Sequence, residues 1–196
     1  MTRSYTSVAV GLMLSFVAID GTARADGDGM DAIRAATAKY QDIKVALAEG
    51  YIPDPSGACV SAAAEGLPPE LGAMGIHYLN PGLLGLAPPG GRVSGNGLVT
   101  DFTTPSVLLY EPQVDGSLKL LGVENLIFQA AWKEAGYMAP PSYGDQVWDT
   151  MADMSGTGGD EAHGFEPHYD LHVWTERENP AGPFVAFNPA ASCPAG

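Results

Sequence analysis

The chain has 196 residues and a formal net charge of -14, with 23 acidic and 9 basic side chains, and it is rich in glycine (25) and proline (16). Such an acidic surface repels nucleic acid and anionic membrane, so neither is an expected partner. Glycine and proline spread along the whole chain argue for a loop-rich fold and against a helical bundle.

The segment MTRSYTSVAVGLMLSFVAIDGTARA, residues 1–25, has the form of an export signal. Arg3 stands near its start, an apolar run extends from Val8 to Ile19, and Ala23-Arg24-Ala25 supplies the small-x-small pattern of a cleavage site. The run is too short to span a bilayer comfortably, and no later segment is long enough either. The expectation is a periplasmic or secreted protein without membrane insertion once the signal is cut. An uncleaved N-terminal anchor is the alternative. Residues 26–196 then form one expected globular domain. The two cysteines, Cys59 and Cys193, are an even count in an exported chain and predict a disulfide between the segment after the first helix and the C-terminus.

In chain order, MDAIRAATAKYQDIKVALAEGYIP predicts a helix, because Ile33, Ala36, Tyr40, Ile43 and Leu47 step by three and four along one face. Gly50 ends it and Pro53 prevents a restart. Residues 54–75 read as a loop, GIHYLN as a short strand ended by Pro81, and 81–106 as a long connection. SVLLYEP, QVDGS and LKLLGVENLIF read as strand, turn and strand, with Asp115-Gly116 as the hairpin signal. Residues 144–167 are glycine-rich and acidic, a long loop in the position of a lid. HYDLHVW predicts a strand, followed by a turn at Asn179-Pro180 and Gly182 and a last short strand. One helix followed by antiparallel hairpins predicts an α+β fold, the helix packed on a curved antiparallel sheet in a cystatin-like or NTF2-like arrangement. A ferredoxin-like fold is the alternative.

Three residues stand out chemically. In LKLLGVENLIF, strict alternation puts Glu124 among Leu118, Leu120, Gly122, Leu126 and Phe128 on the apolar face, with Lys119 and Asn125 opposite. A carboxylate there must be paired, protonated or bound to a metal, unless a bulge near Gly122 changes the parity. In HYDLHVW, His168, Asp170, His172 and Trp174 share one face, and Tyr169, Leu171 and Val173 the other. An ideal strand sets His168 and His172 about 13 Å apart, too far for one ion. His172 is therefore the better strand ligand, with His168 or His163 as an auxiliary ligand or proton carrier. Asp170 is a ligand or orients an imidazole. His77 occupies a strand of its own. Two imidazoles and a carboxylate from three strands make an N,N,O set for a divalent transition metal, zinc, iron, manganese or copper.

No HExxH, CxxC, GxSxG or phosphate-binding glycine loop occurs in the chain. DGDGMD at the start of the expected domain resembles a calcium loop but lacks its distal glutamate.

The segments AATAKYQDIKVALAEGYIPD, MGIHYLNPGLL, PSVLLYEPQVDGSLKLLGVENLIF and HYDLHVWTERENPAGPFVAFNPAASC together resemble a family of exported bacterial proteins to which no activity is attached. The resemblance covers most of the chain after residue 25. It implies a single exported domain, and His77, Glu124 and His172 fall in its recurring segments. The chain departs from the family's pattern at Asn125, where an aromatic is expected, and in the acidic WTERENP.

The leading expectation is thus an exported metal-binding protein, and, if it is an enzyme, one whose metal activates water or oxygen. Two readings compete with it. One is a metal-free module binding a small-molecule ligand in an aromatic-lined pocket. The other is an envelope interaction protein marked by an exposed apolar patch.

Overall fold

The computed structural model describes residues 28–152 and 162–194. The predicted export signal lies outside the described residues, as do residues 153–161 of the predicted 144–167 loop.

The N-terminal helix comes in pieces: α1 (Asp28–Thr37), a 3-10 turn (Ala38–Gln41) and α2 (Ile43–Ala48). Asp42 makes the break. Its backbone is extended, and its side chain accepts the amide of Lys44, which caps a new helix. The restart shifts the inward face. Ile33, Tyr40 and Ala46 are buried, whereas Leu47, expected on that face, is 50% exposed. Gly50 ends the segment at φ 91°, a backbone conformation that favours glycine.

Seven strands form one antiparallel sheet: β1 (Ile52–Pro53), β2 (Cys59–Ser61), β3 (Ala73–Leu79), β4 (Val107–Pro112), β5 (Leu118–Phe128), β8 (Asp149–Met151) and β9 (His168–Val173). The order is β1-β3-β4-β5-β9-β8, with β2 also paired to β3. A second 3-10 turn (Pro69–Leu71), short helices α3 (Pro81–Leu84) and α4 (Gln129–Glu134) and a small hairpin of β6 (Ser142–Tyr143) and β7 (Gln146–Val147) complete the described elements. The class is α+β, as composition and pattern suggested. Residues 142–151, part of which was expected to be loop, instead carry β6, β7 and β8. No strand forms at 184–187. There Asn188 exchanges two backbone hydrogen bonds with Ala73, and the chain otherwise runs as turns.

The sheet separates two cores. The α1–α2 segment covers one face, where Ile33, Tyr40, Ala46, Leu108, Tyr110, Val123, Ile127 and Leu171 pack together. The opposite face carries Leu79, Leu84, Val107, Leu109, Leu126, Phe128 and Trp174. Side chains alternate between these faces along the strands, with register shifts where β2 pairs with β3, at Val60/Ser61, and where β4 pairs with β5. Leu109 pairs with Gly122 but the next residue, Tyr110, pairs with Leu120, so β5 bulges at Leu121. Leu118 and Leu120 therefore face the helices, while Glu124, Leu126 and Phe128 lie on the second face. Strict alternation along β5 is corrected by this bulge. The correction leaves Glu124 among apolar neighbours.

Cys59 and Cys193 are bonded, with Cα atoms 5.7 Å apart and a sequence separation of 134. The bridge fastens β2 to the C-terminal segment. Glu111 on β4 reinforces it, accepting the Ser192 amide at 2.9 Å and pairing with Arg177 at 2.6 Å.

Candidate metal centre

His77, Glu124 and His172 come from β3, β5 and β9, all through the second face of the sheet. Glu124 and His172 are direct cross-strand partners. His77 pairs with Leu109, which pairs with Gly122, so its side chain reaches Glu124 across the intervening strand. Gly122 permits this registration. A Cβ on it would lie 2.5 Å from the Val173 carbonyl oxygen, so β5 and β9 approach closely at the bulge only because it has no side chain.

The three side chains converge. Oε2 of Glu124 lies 3.3 Å from Nε2 of His77 and 3.5 Å from Nε2 of His172. One ligand atom from each residue falls within 4.8 Å of the others. Metal bonds of about 2.0–2.1 Å in tetrahedral geometry set neighbouring ligand atoms about 3.3–3.4 Å apart, close to both carboxylate–imidazole separations. Side-chain exposure is 16% for His77, 3% for Glu124 and 1% for His172.

Burial at this depth requires partners, and they are missing. Oε2 of Glu124 and both ring nitrogens of His172 accept or donate no hydrogen bond among the described residues. Leaving such atoms unpaired costs about 1–3 kcal/mol each. Electrostatics follow the same arrangement. Burial would push the Glu124 carboxyl up, but His172 and His77 beside it outweigh that and lower it, so it stays anionic. Burial pushes His172 down to about 4, which keeps its imidazole neutral and its lone pair available. Burial would also lower His77, but Glu124 and, to a lesser degree, Asp54 raise it. An anionic carboxylate, a neutral imidazole and a second imidazole held against the carboxylate are a donor set that a divalent cation satisfies.

The centre opens into a cavity of about 70 Å³. Its walls include Met74, Leu79, Leu126 and Phe165, with Asp54, His163, His168 and Asp170 as polar members. His168 and Asp170 are on β9, on the same side as His172, but neither joins the converging three. Nδ1 of His168 lies 2.9 Å from the Glu166 carbonyl oxygen, and its Nε2 is 4.0 Å from Oδ2 of Asp170. Burial lowers His168 and raises Asp170 well above the carboxylate range, the latter also through the nearby charges of Glu124 and Asp149. His163 pairs instead with Glu65 at 3.3 Å and sits at φ 52°, in the left-handed region.

Asp54 had not been singled out in the sequence. Its amide donates to the His77 carbonyl at 2.9 Å, and its Oδ1 accepts from Ser56 and Gly57. The string DPSG announces such a turn, but not that it packs beside a histidine more than twenty residues on. Comparisons with protein-family models, with curated proteins and with solved structures find no match.

Proposed function

We propose that this chain is an exported metal-binding protein that holds one divalent transition metal through His77, Glu124 and His172. The observation that carries this reading is the convergence of three buried ligand atoms, two of whose side chains leave polar atoms without partners. An N,N,O set suits zinc, iron(II) and manganese(II), and copper accepts the imidazoles. Three protein ligands leave positions for water or a small molecule, and the cavity offers space beside them. In an enzyme, a metal so placed would activate water or oxygen. The Cys59–Cys193 disulfide supports an oxidising compartment, periplasmic or extracellular. No helix among the described residues is long and apolar enough to cross a membrane.

A metal-free, aromatic-lined pocket has less behind it. Phe165 is the one Phe, Tyr or Trp among the described residues lining the cavity, and the two imidazoles approach at right angles with ring centres 6.0 Å apart.

Elemental analysis of tag-free protein purified without chelator tests the proposal. The expected result is one equivalent of metal, lost in His77→Ala and His172→Ala. Absence of metal, together with no uptake on dialysis against zinc, iron(II), manganese(II) or copper(II), would overturn it.

A further inference from the structure

His168 and Asp170 are buried, at 4% exposure each, and face the same cavity as the three converging side chains. Neither is accounted for by packing. The carbonyl oxygen of Glu166 can only accept, so Nδ1 of His168 donates to it. In the neutral ring this leaves the lone pair on Nε2. That atom faces Asp170, whose Oδ2 at 4.0 Å is too distant for a hydrogen bond. Oδ1 of Asp170 is buried and has no partner among the described residues. The rings of Phe128 and Phe165 pack against His168, with centres 6.4 and 5.8 Å away, and hold its orientation. A carboxyl with an unsatisfied oxygen and, beside it, the Nε2 of a held imidazole thus line a space next to the candidate metal. A wall of fixed polar groups beside open metal positions is the layout of a ligand site.

We propose that His168 and Asp170 form a recognition wall for a small molecule bound to the metal. This rests on the metal reading above. The ligand class follows from the chemistry of the two ends. One end carries a lone pair for the metal. The far end carries an N–H or O–H that donates to Nε2 of His168, with Asp170 completing the hydrogen bonding. The body is short, since the cavity is about 70 Å³, and apolar where it passes Leu126 and Met74. Larger molecules do not fit the volume, and molecules without a distal N–H or O–H do not match Nε2 of His168.

The test uses cobalt(II)-loaded full-length protein and two probes, imidazole and 1-methylimidazole, titrated by visible absorption of the cobalt. Both coordinate through a ring nitrogen, but only imidazole keeps a distal N–H. His168→Phe removes the acceptor and keeps a flat ring among Phe128 and Phe165. The expected result is imidazole binding weakened about tenfold in His168→Phe, the scale of one lost hydrogen bond. Binding of 1-methylimidazole and the cobalt content should be unchanged. Asp170→Leu, similar in shape, should show the same selective loss and serves if His168→Phe does not fold. Equal effects on both probes, or none, overturn the recognition wall and leave the metal reading intact. Loss of cobalt in either variant makes that residue a ligand and also overturns it. Failure of the wild-type protein to bind cobalt overturns both proposals.

Discussion

His172 illustrates how a site residue can oppose folding. It is 1% exposed, and neither ring nitrogen has a partner among the described residues. In the metal-free protein its burial is a cost that hydrophobic packing must offset. Replacing it with leucine removes both unsatisfied atoms and keeps a side chain of comparable bulk. Metal-free His172→Leu should therefore be more stable than metal-free wild type by about 1–2 kcal/mol, measured by urea unfolding in chelator. The same variant should hold no metal. A lower stability would mean that the nitrogens are satisfied in solution. Glu111 behaves in the opposite sense. Burial would raise its carboxyl, but the Ser192 amide, Gln113 and Arg177 outweigh that and lower it. A carboxylate lowered in the folded state contributes stability above its unfolded value near 4.5, and that contribution is lost as pH falls through the folded value. Glu111→Gln should accordingly be less stable at neutral pH and show a flatter decline below about pH 4.5, read from unfolding midpoints across pH.

At the scale of elements, the bulge in β5 decides whether a site exists. Without it, Leu118 and Leu120 would share a face with Glu124, and that face could not pack on the helices. With it, Leu118 and Leu120 join Val123 and Ile127 on the helix side, while Glu124 stays with Leu126 and Phe128 on the other. Gly122→Ala should destabilise the protein by a few kcal/mol, because the added Cβ meets backbone, the Val173 oxygen at 2.5 Å, rather than a flexible side chain. It should also weaken metal binding by separating Glu124 from His172. Thermal unfolding and metal titration of this variant check both effects. Intact stability with intact metal binding would show that the strands can part without disturbing the site. The break at Asp42 is a second case. Period and face were legible from Ile33 to Tyr40, but a capping aspartate inside a helical pattern restarted the helix and put Ala46 inward.

For the whole molecule, the disulfide and the sheet order bring distant segments together. Closing a loop of this length contributes about 5 kcal/mol in the chain-entropy model. The bridge anchors β2, and with it the outer side of β3, on which His77 stands. The second core has little helical cover of its own. Loop segments fill that role, with Leu86, Val93 and Phe165 packing against it and Val93 bridging to Phe165. The cavity lies under this loop layer. The candidate centre therefore sits opposite the N-terminal helices, on the face that hydrophobic periodicity describes least well.

The sequence by itself determined the α+β class, the β4–β5 hairpin at Asp115-Gly116, the inward row of β9 and the pairing of Cys59 with Cys193. These depend on short-range patterns: alternation, turn chemistry and an even cysteine count. It also marked His77, Glu124 and His172, because a carboxylate within an apolar strand carries an energetic cost that can be read locally. Only the tertiary structure decided that the three meet, that His168 stands apart from them, and that Asp54 lies beside His77. Those outcomes depend on strand order and on a one-residue bulge. A single inserted residue reverses every side chain beyond it, and no local pattern records which strand will be its neighbour.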